Sequence, residues 1–261
     1  TEGGRSAFLK AIVDLATEYE LDGIDFDWEY PNQDGIGCNK KAPEDTANFL
    51  TFLKQLRADP VGQKLILTAA TSLKPFTGPD GEPVSDVSEF ADVLDYIGAC
   101  FLHLASGSVN DLLSSAIMNY DVYGSWAATT GPNAPLADSC APEGSGIGSA
   151  ESAVAAWTCA NFPAEKLLLG LASYGRSFFV ERTSAKTENG SLNVFAPFNK
   201  ARQPLGQGEV AGVTTVDKCG NPEGPSGVFY YNGLIEAGFL DKAGNAGEGI
   251  DYTFDECSQT P

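Results

Sequence analysis

The order of hydrophobic and polar positions along the chain switches between two periods. Residues 5–20 place Phe8, Leu9, Ile12, Val13, Ala16 and Tyr19 at helical spacing, which predicts an amphipathic helix. Directly afterwards "LDGIDFDWEYP", residues 21–31, turns to alternation: Ile24, Phe26 and Trp28 against Asp25, Asp27 and Glu29. Successive strand side chains point to opposite faces, so this stretch predicts a strand with one apolar and one carboxylate face. Residues 44–58 return to the helical period through Ala47, Leu50, Leu53 and Leu56, behind Pro43 and two acidic residues that suit a helix start. "KLILTAATS" at 64–72 predicts the next buried strand, and residues 95–98, 116–126 and 166–178 read as further strand material, the last with a turn. A small-residue helix is expected over 149–161. Strands alternating with helices imply parallel βα units, hence an open doubly wound sheet or a closed barrel. In both, the chemistry sits at the carboxyl ends of strands, where Glu29, Asp121 and Arg176 fall. Beyond Val180 the composition turns to Gly, Asn, Thr and short aromatic runs, which marks 180–261 as a smaller appended subdomain.

Composition narrows the partners. A hydrophobic share of 43% over 261 residues is enough for a substantial core. A net charge of -19 would repel nucleic acid and an anionic membrane surface alike, so a neutral substrate is expected. No apolar run is long enough to cross a bilayer. The chain begins with Thr and shows no charged-then-apolar leader, so any targeting segment is expected upstream of residue 1. Six cysteines, Cys38, Cys100, Cys140, Cys159, Cys219 and Cys257, form no C-x-x-C pair and point to disulfides in an oxidising compartment rather than zinc. The bridges expected are Cys140 with Cys159 and Cys219 with Cys257, each tying down a Gly/Pro-rich stretch. Asn189-Gly190-Ser191 is a glycosylation acceptor pattern and fits secretion.

The carboxylate face carries the chemistry. Alternate strand side chains stand roughly 6.6 Å apart, close enough in a poorly solvated site for like charges to force one group to keep a proton, which is how a general acid is made at neutral pH. An ordinary solvated acidic face is the plain alternative. Calcium binding is a second, but a calcium loop needs Gly at its sixth position and polar spacers, whereas here Tyr30 holds that position and the spacers are Phe26 and Trp28.

Three strand ends combine: "DGIDFDWEYP", "MNYD" at 118–121 and "YGR" at 174–176. With them the chain resembles a chitinase of glycoside hydrolase family 18, in particular a secreted fungal one. The first segment matches that family's D-G-x-D-x-D-x-E signature at every fixed position, and "MNYDVYGSW", "LLLGLASYGRSF" and "YTFDECSQTP" follow in family order over nearly the whole chain. The resemblance implies a (β/α)8 TIM barrel, only partly covered over 1–179, with a small α+β insertion subdomain over 180–261. It implies hydrolysis of β-1,4-linked N-acetylglucosamine polymers by a retaining mechanism in which the substrate's own 2-acetamido group attacks C1, so that one protein acid suffices. Glu29 would protonate the glycosidic oxygen and later activate water. Asp27 would orient the acetamido group and share a proton with Asp25. Asp22 has the wrong parity and reads as a strand-start residue. Tyr120 and Asp121 would contact the acetamido group and the distorted sugar, and Met118 would line the pocket floor. Tyr30, Tyr174 and Arg176 would bind the sugar chain, and Trp126 would stack on it. No metal or organic cofactor is implied. The partner expected is chitin or a chitooligosaccharide, with no nucleic acid and no membrane, and the protein is expected to be a monomer secreted to the extracellular space.

The chain also departs from the family. Only four barrel strands are readable; three would precede residue 1, one of them with an S-x-G-G motif, and a last strand with a tryptophan would follow Pro261. Inside the chain, "GACFLHLASGSVNDLLSSA" interrupts a strand that in the family runs from a D-Y-I-type start almost directly into I-M-N-Y-D. Residues 99–115 then read either as a surface loop grown inside the strand or as the translation of an unspliced intron, the second favoured because the flanks join cleanly without them. His103 lies there and is given no catalytic role. Three alternatives to an active chitinase follow: a lectin-like protein that keeps the pocket without catalysis, an inactive chitinase fragment, and an endo-acting enzyme on N-glycans. The intact Glu29 speaks against the first, and "MNYDVYGSW" with the appended subdomain speaks against the last.

Overall fold

The computed structural model describes residues 1–35, 38–97, 117–143 and 146–261, which group into two units. The first comprises Thr1–Met118 and Ser152–Gly170, the second Asn119–Glu151 and Leu171–Pro261. Cys100, His103 and the interruption at 99–115 lie outside the described residues.

In the first unit the alternation of period becomes alternation of elements. α1 (Glu2–Glu18) starts at Thr1, whose hydroxyl accepts the Gly4 N–H. β1 (Gly23–Phe26) pairs in parallel with β2 (Ile66–Ala69), which pairs in parallel with β3 (Tyr96–Ile97), in the order β1-β2-β3. α2 (Asp45–Ala58) is the crossover between β1 and β2, and α4 (Ala150–Cys159), which follows the short α3 (Ser88–Ala91), packs Trp157 into the same core. Gly23 is required where it stands, because a Cβ there would come within 2.5 Å of the Ile66 carbonyl oxygen across the ladder. The core is aromatic: Phe26 meets Phe49 and Phe52 edge-on, and Phe76 meets Trp157 at 5.2 Å and 87°. Leu53 and Leu56 of α2 and Leu67 of β2 are fully buried against it. Arg57 ties the layer together, pairing with Asp95 at 2.7 Å and donating to the carbonyls of Gly62, Leu65 and Val93. Among the described residues no helix is long and apolar enough to cross a membrane.

A fourth parallel segment follows β3. Ile97 bridges Leu167 and Ile117 bridges Leu169, while on the other side Ala69 pairs with Ile97 and Thr71 with Ile117. Leu168 confirms the register, since its N–H donates to the Ile97 carbonyl and its own carbonyl accepts from the Ile117 N–H. In a parallel ladder those two contacts belong to the residues just before and just after a single partner. Ile97 and Ile117 therefore occupy positions two apart in one strand, with room for one residue between them. Removal of 99–115 would leave two. The strand expected over 116–126 is shorter than expected: Met118 donates to the Thr71 carbonyl, and the chain then turns away, with Asp121 at a φ of 56.

The second unit is built from short pieces. β4 (Tyr174–Arg176) pairs antiparallel with β7 (Val228–Tyr230), which runs into α5 (Tyr231–Glu236). β5 (Thr215–Val216) and β6 (Pro222–Glu223) form a hairpin whose turn is closed by Asp217, which accepts from the backbone of Cys219 and Asn221. Asp241 repeats the device, accepting from Ala243 and Asn245.

The expected disulfides are not those formed. Cys140 bonds Cys257 with Cα atoms 6.3 Å apart, and Cys159 is a free, exposed thiol. Cys38 and Cys219 are each disulfide-bonded as well. Proximity in sequence misled the pairing. Leu136 donates to the Ser258 carbonyl at 2.7 Å, bringing the two distant segments together inside the second unit, while Cys159 sits on α4 in the first.

Candidate active site

The expected site residues fall into two groups, one in each unit. In the first, β1 ends at Phe26, so Asp27, Trp28 and Glu29 continue past the carboxyl end of the strand instead of forming part of it. The alternation in burial persists all the same. Phe26 is buried, Ile24 and Trp28 are half-buried against the core, and Trp28 meets Phe49 edge-on at 5.7 Å. Asp25 and Asp27 are exposed, and Glu29 and Tyr30 are half-buried. Asp25 pairs across the sheet with Thr68, whose hydroxyl donates to the carboxylate at 2.5 Å and fixes its direction. Beyond the strand, the Asn39 side chain donates to the Glu29 carbonyl at 2.9 Å and the Gln33 N–H to that of Tyr30 at 3.2 Å, so side chain and backbone both hold the turn that carries the acid. Met118 is half-buried at the end of the strand containing Ile117. Asp25 and Asp27 also line a groove of about 540 Å³ along the free side of β1, walled by Phe8 and Ile12 of α1 and by Phe49 and Phe52 of α2.

In the second unit Tyr120, Asp121, Trp126, Tyr174 and Arg176 come together. One oxygen of Asp121 accepts three donors: the Tyr174 hydroxyl at 2.5 Å, Arg176 Nε at 2.9 Å and Arg176 Nη2 at 2.6 Å. A carboxylate held this way cannot swing freely. The Arg176 guanidinium also lies 4.7 Å from the ring centre of Trp126, a residue 57% exposed, which pairs an exposed aromatic ring with a cation. Gly124 makes that placement possible, since a Cβ there would lie 2.4 Å from the indole. Tyr120 and Tyr174 meet edge-on at 6.3 Å. Burial first, and then the hydrogen bond to Asp121, push the Tyr174 hydroxyl well above the ordinary tyrosine range, so it is a proton-holding donor at any physiological pH.

The sequence reading missed the residues that hold these groups. Thr68 orients Asp25, Gly124 admits Trp126, and Asn133 bonds the backbone beside both Asp121 and Tyr174. Gly124 lies inside a quoted motif, "YGSW", and could have been found there. Thr68 is one of two threonines in a buried strand, and Asn133 lies in "GPNAPL", where Gly and Pro announce a turn and nothing announces chemistry.

Comparison with known proteins agrees with this geometry. The family model described as glycosyl hydrolases family 18 matches residues 1–256. A chitinase-like effector of Moniliophthora perniciosa is 42% identical over 260 residues, covering 98% of this chain and 54% of that protein. Chitinase A1 of Niallia circulans is 32% identical over 189 residues, covering 68% of this chain and 24% of that protein. The chain thus spans about half the length of the effector and a smaller part of the bacterial enzyme. The crystal structure of a chitinase from Rhizomucor miehei matches with a TM-score of 0.78 at 30% identity, covering 99% of this chain and 63% of that one. The fold is accordingly of the TIM-barrel type, and its parallel segments, β1, β2, β3 with the bridge at Ile117, and the bridges at Leu167 and Leu169, pair in the order of consecutive staves of such a barrel. On the family model over 1–256 and the identity to its relatives, the chain belongs to the glycosyl hydrolases of family 18.

Proposed function

We propose that the chain is the acid-bearing part of a secreted enzyme that hydrolyses chitin with retention, the substrate's acetamido group serving as nucleophile. The observation that carries this reading is the unbroken Asp25, Asp27, Glu29 series at the carboxyl end of a barrel strand. Glu29 gives its proton to the glycosidic oxygen as the acetamido oxygen closes on C1 and the leaving sugar departs. The resulting oxazolinium ion is held by Asp27, which shares a proton with Asp25, itself anchored by Thr68. Glu29, now a carboxylate, then takes a proton from the water that opens the ring and is ready for another turnover. Tyr120 and Asp121 contact the acetamido group and the distorted sugar, Met118 floors the pocket, Trp126 stacks on the chain, and Tyr30, Tyr174 and Arg176 bind it. Residues 180–261 form the insertion subdomain that walls the cleft. The disulfides support an extracellular location, and the enzyme acts as a monomer.

The test is Glu29→Gln. Removal of the acid lowers the rate of chitooligosaccharide hydrolysis about 10²- to 10⁴-fold. A variant as fast as its active parent defeats the assignment. A second reading is favoured by one observation, that relatives at 42% and 40% identity are named chitinase-like effectors. In it the chain binds chitooligosaccharide without cleaving it. Saturable binding of a chitooligosaccharide by a parent that releases no product would establish that reading in place of the first.

A further inference from the structure

We propose that Asn133 is a positioning residue, which fixes Asp121 and Tyr174 relative to each other by holding the backbone beside each of them. The proposal rests on the reading of this cluster as part of the sugar site. Asn133 is half-buried in the stretch after Trp126, and three of its hydrogen bonds among the described residues go to the backbone of those two segments, while its side chain also reaches the Tyr174 hydroxyl. Its Oδ1 accepts the Asp121 N–H at 3.2 Å, its backbone carbonyl accepts the Val122 N–H at 3.1 Å, and its Nδ2 donates to the Tyr174 carbonyl at 3.2 Å.

The position matters because of what it joins. Asp121 has a left-handed backbone, with φ at 56, a conformation that aspartate visits as a single residue and that the Asn133 bond to its N–H pins in place. Tyr174 belongs to β4, whose ladder partner is β7, so pairing within the sheet does nothing to place it against Asp121. The neighbouring Asn119 is tied to the same turn through its Nδ2, which donates to the Pro135 carbonyl at 3.0 Å. Without Asn133, the Asp121 side chain alone, through its bonds to Tyr174 and Arg176, would have to hold the cluster. A short carboxamide carries an acceptor and a donor on two separate atoms, which is what this bridge uses.

The test uses the full chain and three variants: Asn133→Ala, Asn133→Asp and Asn133→Ala combined with Tyr174→Phe. Aspartate has the same shape and keeps an acceptor, but has no N–H for the Tyr174 carbonyl. The first readout is tyrosinate absorbance. The Asn133 contact itself lowers the Tyr174 value, so its loss alone would leave that hydroxyl raised; with the bridge lost, Tyr174 instead leaves both its burial and Asp121, and one more tyrosine ionises in the ordinary range, about pH 10, than in the parent. That extra tyrosine is absent from the double variant, and Asn133→Asp shows it too. The second readout is hydrolysis of chitooligosaccharide, where kcat falls roughly 10- to 100-fold, the cost of displacing a substrate-positioning group, while KM moves less. An unchanged tyrosine titration in both single variants overturns the proposal even if they melt earlier, because a purely structural asparagine would lower stability without releasing Tyr174. If Asn133→Ala does not fold, Asn133→Asp carries the same comparison. A parent that hydrolyses nothing refutes the glycosidase reading alone, and the titration still decides the role of Asn133.

Discussion

Arg176→Ala is the substitution whose cost can be worked out from the structure in parts. Arg176 gives two N–H bonds to one oxygen of Asp121, with its own side chain 11% exposed and that of Asp121 41% exposed. A pair so placed lies between a surface ion pair and a buried one, and is worth about 1 to 1.5 kcal/mol. The guanidinium also covers Trp126 at 4.7 Å, which adds about 0.5 to 1 kcal/mol at a partly exposed site. Together the loss is about 2 kcal/mol, close to a thirtyfold change in an equilibrium constant. Urea unfolding followed by tryptophan fluorescence measures it, and a double-mutant cycle with Asp121→Ala separates the parts. In the Asp121→Ala background, Arg176→Ala should cost only the contact with Trp126, so the coupling between the two sites should be about 1 kcal/mol. Effects that add to within about 0.3 kcal/mol would refute the claim that these side chains act as one unit.

Three further outcomes are expected. Leu53→Ala empties a fully buried position between α2 and the sheet and should lower unfolding stability by about 2 to 5 kcal/mol, read from the urea midpoint; a cost under 1 kcal/mol would mean that the site is not packed as described. The raised Tyr174 hydroxyl stabilises the fold fully below the ordinary tyrosine value and loses that contribution as pH rises above about 10, so alkaline melting should be less steep in Tyr174→Phe than in the parent. Cys140→Ser opens a bridge spanning 117 residues and on the chain-entropy account should cost about 4 to 5 kcal/mol, whereas Cys159→Ser should leave stability within about 0.5 kcal/mol, as measured by thermal unfolding without reductant.

What could be read from the sequence was whatever repeated often enough to show a period. α1 and α2 lie where the apolar spacing put them, since ten or more residues make a 3.6-residue repeat visible, and α4 lies within the small-residue run expected to be helical. The carboxylate face was legible for a similar reason, although β1 stops at Phe26 and the pattern outlasts its hydrogen bonds. The second unit was not legible, because strands of two or three residues such as β5 and β6 have no room for a period of two. The disulfide pairing depended on a contact between Leu136 and Ser258, which no local pattern announces. Asn133 was missed because its work is done on backbone atoms, and a backbone has no sequence to betray it.

The register shared by Ile97 and Ile117 reaches beyond the protein. Nineteen residues separate them in the sequence and the register of the two ends leaves a place for one, a difference of eighteen residues, the equivalent of fifty-four nucleotides and a whole number of codons. A message that keeps those codons and one that lacks them are read in the same frame. Every residue from Met118 to Pro261, with the Asp121, Tyr174 and Arg176 cluster among them, is spelled identically in both. The two products differ only between neighbouring rungs of one strand.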